Sequence, residues 1–182
     1  GPNGHLLMAA AFLKGLGLDG NIGDITVDLK GASAGSEGHA VTGSNGVAEI
    51  TSTKWPFFLE PEMRKITAFC KFNDELNRYT LRVKNLDTPK AKVTWGTEAK
   101  EFTKEQLTTG INLAAEFDKS PLDAPFIQLV IAVNNKQAYE TPMIKGMITN
   151  FRNFANDAKS DPEFAAALTT LKQKMMAKQE KL

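Results

Sequence analysis

Between Asp24 and about Phe102 the apolar residues fall at every second position, and on either side of that stretch they do not. This change of period most limits the folds open to the chain. Ile25, Val27 and Leu29 alternate with Asp24, Thr26 and Asp28. Tyr79, Leu81 and Val83 alternate with Arg78, Thr80, Arg82 and Lys84, and Ala91, Val93 and Trp95 with Lys92 and Thr94. Such alternation makes strands with one buried and one wet face. Asn45-Gly46 separates His39-Ala40-Val41-Thr42 from Val47-Ala48-Glu49-Ile50 and readily takes a type I′ turn, so a hairpin is expected there. Gly31 to Ser36 reads as a flexible loop, and the proline-broken aromatic run Trp55 to Pro61 as a bulge, an edge or a connector. Short strands at this spacing predict a small antiparallel, sandwich-like module over residues 21–102.

The flanks are helical. Leu6, Leu7, Ala9, Ala10, Ala11, Phe12 and Leu13 are apolar nearly all round, which predicts a helix from about His5 to Lys14 that needs a partner to pack on. Gly15 and Gly17 stop it, and Leu16 and Leu18 can fold back on it. Thr103-Lys104-Glu105-Gln106 is a capping-box sequence, followed by Leu107, Ile111 and Ala114/Ala115 on one helical face. A second helical region is expected from about Asp123 to Asn156, split near Thr141 by Pro142. Ser160-Asp161-Pro162-Glu163 reads as another capping box, opening a last helix that carries Phe164, Ala167, Leu168, Leu171 and Met175 and frays after Met176. The expected class is therefore α+β: a short N-terminal helix in residues 1–20, the β-module in 21–102, and a helical C-terminal region in 103–182.

Composition removes several function classes. The chain has 182 residues, 22 basic and 21 acidic, so it lacks the basic excess of a dedicated nucleic-acid binder. No apolar stretch approaches the roughly 20 residues of a membrane helix. The lone Cys70 makes no intrachain disulfide, and no Cys/His spacing suggests zinc; no cofactor motif is present. Gly1-Pro2-Asn3-Gly4 is turn chemistry with neither an initiator Met nor a signal peptide ahead of an apolar helix, as expected of a fragment or a processed product.

Asn3-Gly4-His5-Leu6-Leu7-Met8-Ala9-Ala10-Ala11-Phe12-Leu13 is similar to the helix that closes the catalytic domain of GDSL/SGNH-type serine hydrolases, just after that family's Asp-x-x-His block. Asn73 to Leu81, Val93 to Gly96, Gly110 to Phe117 and Lys136 to Pro142 resemble, in order, segments of a C-terminal extension in one bacterial branch. The resemblance implies acyl-ester hydrolysis by a parent enzyme acting on an ester or carbohydrate ester. Its partner would be the rest of the hydrolase domain. It also implies a periplasmic or secreted location, since bacterial members are often exported. The family uses a Gly-Asp-Ser nucleophile, a His base and an orienting Asp. None carries over. Gly23-Asp24 is followed by Ile25, Asn73-Asp74 lacks the glycine of the family's Gly-x-Asn-Asp block, and no Asp-x-x-His occurs. This chain alone is expected not to hydrolyse esters by that mechanism.

His5 is the weak catalytic candidate, as a base or a group beside the missing block; the plainer account is a helix N-terminal residue whose ring bonds to a nearby loop. His39 has no acidic or Cys residue spaced with it for a metal and reads as a structural or simply exposed strand histidine. Ser33, Ser36 and Ser44 lie in loops with no base in evidence. The neighbours Asp74 and Glu75, and Asp28 with Lys30, carry no glycosidase signal, because the carboxylate separation that matters is spatial. Trp55, Phe57, Phe58 and Trp95 offer an aromatic platform for sugar rings or for the parent's active-site rim, or else core packing. Met143, Met147, Met175 and Met176 read as adaptable packing, and Lys172 to Lys181 as a solvated helix face. Three functions follow: a non-catalytic C-terminal portion of an ester hydrolase, a carbohydrate-binding module, or a generic interaction domain. The first expects an exposed apolar face on helix 6–13.

Overall fold

The computed structural model describes residues 1–43 and 46–181 and divides into two compact units, Gly1–Phe126 and Ile127–Leu182. The class is α+β, with an N-terminal helix, small sheets and long C-terminal helices.

The first unit opens with α1 (Pro2–Gly15) and then lays down β1 (Asn21–Asp28), β2 (Ala34–Gly35), β3 (His39–Thr42) and β4 (Glu49–Ser52). Next come α2 (Pro61–Cys70), α3 (Phe72–Glu75), β5 (Arg78–Lys84), β6 (Lys90–Trp95) and β7 (Glu98–Thr103). It closes with α4 (Lys104–Thr109), β8 (Ile111–Asn112), α5 (Leu113–Glu116) and the start of α6 (Asp123–Thr141). Strands β2-β1-β5-β8 form the main sheet, while β3–β4 and β6–β7 are antiparallel hairpins.

The main sheet is mixed, not antiparallel throughout. β1 and β5 run parallel, Ile25 opposite Leu81 and Val27 opposite Val83, while β2 and β8 pair antiparallel on either side. Alternating apolar residues report a sheet with one buried face and say nothing of strand direction. Parallel pairing needs a crossover, and residues 29–77 supply it. That crossover contains α2, in the stretch assigned to the β-module. Pro61 is not a strand breaker but the first residue of a helix, where its missing N–H costs nothing. Met63, Ile66 and Cys70 give α2 an inner face.

Two cores result. Ile25, Tyr79, Leu81, Val83, Phe102, Leu107 and Leu113 are buried between the sheet, the hairpins and the short helices. Leu6 and Ala10 of α1 are buried with Phe72 and Leu76. A fully buried Ile25 or Leu107 contributes about 1.5–3 kcal/mol.

The capping box at Thr103 forms as read: Gln106 N–H donates to Thr103 Oγ1 at 3.2 Å, and Thr103 N–H donates to Gln106 Oε1 at 2.8 Å. The helix it opens is shorter than expected, because Gly110 at φ 116 ends α4. Ile111 then becomes an edge strand beside Leu81. The expected hairpin exists as β3–β4, with Val41 opposite Ile50. Its second strand begins at Glu49, two residues later than the pattern suggests. The expected Asn45-Gly46 turn and Ser44 fall partly or wholly outside the described residues. Leu18 folds back on α1 through its backbone, its N–H donating to the Leu13 carbonyl at 3.1 Å, but the side chains of Leu16 and Leu18 stay exposed.

In the second unit α6 continues to Thr141, and Pro142–Ile148 then winds as a π-helix. Pro142 lacks the N–H of a regular turn and its ring crowds the carbonyl four residues back, so the wider winding marks the break expected there. Short turns Thr149–Phe151, Arg152–Phe154 and Ala155–Ser160 lead to the last helix, Pro162–Gln179. Its cap is Asp161, which accepts from Glu163 N–H and Phe164 N–H, both at 3.0 Å. Ser160 instead donates back to the Asp157 carbonyl. The helix runs past Met176 to Gln179 before ending.

Candidate functional site

Hairpin β3–β4 is tied to the main sheet by a buried polar relay. His39 opens β3 directly opposite Ser52, the last residue of β4. His39 Nδ1 lies 2.9 Å from Ser52 Oγ, His39 Nε2 lies 2.8 Å from the Ile22 carbonyl, and Ser52 Oγ lies 2.9 Å from the Tyr79 hydroxyl. A carbonyl only accepts, so Nε2 carries the hydrogen. In the neutral ring Nδ1 then accepts from Ser52, and Ser52 accepts from Tyr79. Burial pushes the Tyr79 phenol above its ordinary pKa, against a smaller opposing effect of the Ser52 hydrogen bond, so Tyr79 remains a protonated donor. Its ring meets His39 edge-on at 5.4 Å, and a Cβ at Gly23 would overlap the imidazole, so only glycine fits beneath it. A base lone pair aimed at a serine hydroxyl is what nucleophilic catalysis requires. Here, however, Ser52 is bonded on both sides and its carbonyl holds Trp55 Nε1 at 3.0 Å. The relay locks a hairpin to a sheet.

A second weld uses three asparagines. Asn77, buried, accepts from Phe57 N–H at 2.8 Å and donates to Asn73 Oδ1 at 3.1 Å. Asn112 accepts from Tyr79 N–H at 3.0 Å and donates to the Asn73 carbonyl at 2.8 Å. Beside them a cleft of about 200 Å³ holds Arg64, Asn73 and Asp123. Arg64 is already committed to Asp118 at 2.8 Å and to the Asp118 and Leu59 carbonyls, so it offers little to an incoming anion.

The other sequence candidates scatter. His5 is exposed on the first turn of α1, and its ring has no hydrogen-bond partner among the described residues. The loop bond expected of it is not made. Ser33 and Ser36 accept from Asp28 N–H at 3.1 Å and Asp24 N–H at 3.0 Å, closing the β1–β2 loop rather than serving a base. Glu75 pairs with Lys14, which holds its carboxyl below the ordinary value. The Asp28 carboxylate accepts from Lys30 N–H and from Asn85, while the Lys30 ammonium meets Asp87 at 2.9 Å. Trp95 packs against Tyr79 at 5.8 Å, whereas Phe57 packs edge-on with Phe72 and Phe126, so the aromatics divide between two clusters. Met143 is buried, while Met147 and Met176 are exposed. Among the described residues no three His, Cys, Asp or Glu converge as metal ligands, and no helix is long and apolar enough to cross a membrane.

Two apolar features of the first unit stand out. Along α1 and at its C-cap, Met8, Phe12 and Leu16 are 58%, 68% and 78% exposed. On a shallow surface beside Leu7 and Ala11, α2 adds Phe69 at 79%. The other face of α1 is buried through Leu6 and Ala10, so the helix is half covered by its own chain. The second feature is a cleft of about 500 Å³ between the main sheet and the two hairpins, lined by Val27, Leu81, Val83, Ile50, Val93 and Trp95 among others. An empty sealed apolar cavity of this size would cost on the order of 10 kcal/mol, comparable with the whole stability of a domain. The cleft is open to solvent and can be filled.

No family model matches the sequence, and no curated protein matches it. Among solved structures the chain is similar to a gut microbial diltiazem-metabolizing enzyme, with a TM-score of 0.62 and 16% identity. The match covers 98% of this chain and 51% of the enzyme's, so the chain spans about half the length of that protein. At this identity the likeness is one of fold.

Proposed function

We propose that the chain is the C-terminal part of a GDSL/SGNH-like ester hydrolase, itself without the catalytic serine or the Asp-x-x-His block. It would complete the catalytic domain and shape access to it. The observation that carries the reading is the uncovered stripe of Met8 and Phe12 on α1 with Leu16 at its C-cap. A helix with one face buried in its own chain and the opposite face apolar and wet has a partner elsewhere. The half-length match to a larger enzyme supplies a candidate for that partner.

Two measurements test the proposal. The gene encoding this chain should read Asp-x-x-His immediately upstream of Gly1, with Gly-Asp-Ser farther back; a different upstream sequence overturns the assignment. The chain alone, given p-nitrophenyl acetate, should turn it over no faster than a Ser52→Ala variant. Turnover that Ser52→Ala abolishes would move the chemistry into this chain and make the His39–Ser52 pair its centre.

A further inference from the structure

We propose that His39 is an acid-operated latch: protonation of its imidazole releases hairpin β3–β4 from the main sheet. The inference is independent of the ester-hydrolase reading, because it concerns residues of the first unit alone and is read without any substrate.

The hairpin is attached in a way that permits release. Strands β3 and β4 pair with each other in a ladder separate from the main sheet, so the sheet keeps its own backbone bonds when the hairpin leaves. The hairpin meets the sheet through Val41 and Ile50, which pack on the first core, and through the polar relay of His39, Ser52 and Tyr79.

The relay has room for two hydrogens and not for three. In its neutral form the Ser52 hydrogen fills the contact with His39 Nδ1, and the Tyr79 hydrogen fills the contact with Ser52. The hydrogen on Nε2 is already given to the Ile22 carbonyl. A proton added at Nδ1 brings one more hydrogen to the same pair of contacts. Ser52 can turn to accept from His39, but its own hydrogen or that of Tyr79 then loses its acceptor within the relay. His39 is 7% exposed, so the fold also holds a nearly buried charge. A stranded donor and an unpaired buried charge are both costly, and undocking relieves both by giving the ring to water.

Among the described residues no charged group faces the ring to offset that cost. From β1 the ring meets the Ile22 carbonyl and Gly23, while the Asp24 carboxylate is turned to Arg82 and Asn21. Strand β2 presents Gly35 to the His39 backbone, and β4 presents Ser52. From β5 comes the Tyr79 phenol, which burial keeps protonated, and the neighbouring Arg78 is spent on the Asp19, Asp74 and Glu75 carbonyls. Glu37 and Lys54, flanking the hairpin, are exposed and bond to neither ring nitrogen. An imidazole in water takes up its proton near about pH 6.5. Docking therefore weakens as pH falls below that value, by at most about tenfold per pH unit.

Hydrogen–deuterium exchange of the intact chain, corrected for the intrinsic rate at each pH, tests the latch. Protection of β3 and β4 should fall about tenfold between about pH 7.5 and about pH 5.5, while that of β5 holds. Binding of an apolar dye should rise over the same interval, as Val27, Leu81 and Val83 lose the hairpin side of their cleft. The chain has two histidines. His39→Gln, which cannot charge, should abolish both changes, and His5→Gln should leave both intact. Ser52→Asp sets a carboxylate between the ring and the phenol, accepts the extra hydrogen and should hold the hairpin at the lower pH. It takes the place of His39→Gln should that variant lose its far-ultraviolet circular dichroism. Three results overturn the proposal: unchanged protection of β3 and β4, a fall that survives in folded His39→Gln or Ser52→Asp, or an equal fall in β5. The last would mean that the whole unit unfolds.

Discussion

At the scale of single residues, the relay through Ser52 makes an unequal demand on its members. Removing the Ser52 hydroxyl leaves both His39 Nδ1 and the Tyr79 hydroxyl without a partner inside the fold. Ser52→Ala should therefore cost about 1–3 kcal/mol in urea unfolding, and Tyr79→Phe, which only removes a donor, about 1 kcal/mol. Asp24 gives a different signature. Burial raises its pKa, but hydrogen bonds from Arg82 and Asn21 and the charges of Arg82 and Arg78 outweigh that, so the net shift is downward. A depressed carboxylate stabilises the fold above its unfolded pKa of about 3.9 and loses that contribution as pH falls through the folded value. Arg82→Met should destabilise by no more than about 1 kcal/mol at pH 7, since both side chains are partly exposed, with the difference closing below about pH 4. His39 was legible as a strand residue. Its partner was not, because Ser52 lies beyond the end of the strand that the alternation marks, and Ile22 and Tyr79 come from two further strands.

At the scale of elements, features fixed within a few residues could be read, and features that depend on distant packing could not. The Thr103 box, Pro142 and the C-terminal end of α1 are local and were legible, whereas α1 begins at Pro2, inside the stretch read as a turn, because proline suits the first turn of a helix. The α2 helix was also written in the sequence, as Pro61 followed by Met63, Ile66 and Cys70, but a period-two frame carried across it hid the change. Gly110 ends α4 because its φ suits no side chain, and the Leu107–Ile111 spacing that implied one helix instead serves a turn and an edge strand. The α1 helix permits a test of its two faces. Leu6→Ala, on the buried face, should cost about 2–4 kcal/mol. Met8→Glu with Phe12→Lys, on the wet face, should change stability by less than about 1 kcal/mol and lower both self-association and binding of an apolar dye. A large stability loss from the double variant would mean that the stripe is already covered.

At the scale of the whole molecule, the α+β class and the succession of helix, sheets and helices follow from where the hydrophobic period changes. The direction of strand pairing does not, because a parallel and an antiparallel strand with one wet face share the same alternation. That single undetermined choice also governs how the first unit assembles. The central pair joins residues 25 and 81 in parallel, and everything between them must close into a loop before either strand gains its neighbour. The hairpins β3–β4 and β6–β7 pair over short distances along the chain and can form early; the central sheet, and the packing of α1 on α2, must wait. The unit is therefore built to fold on the slow side for its size, with its hydrophobic strands exposed to other molecules during the delay.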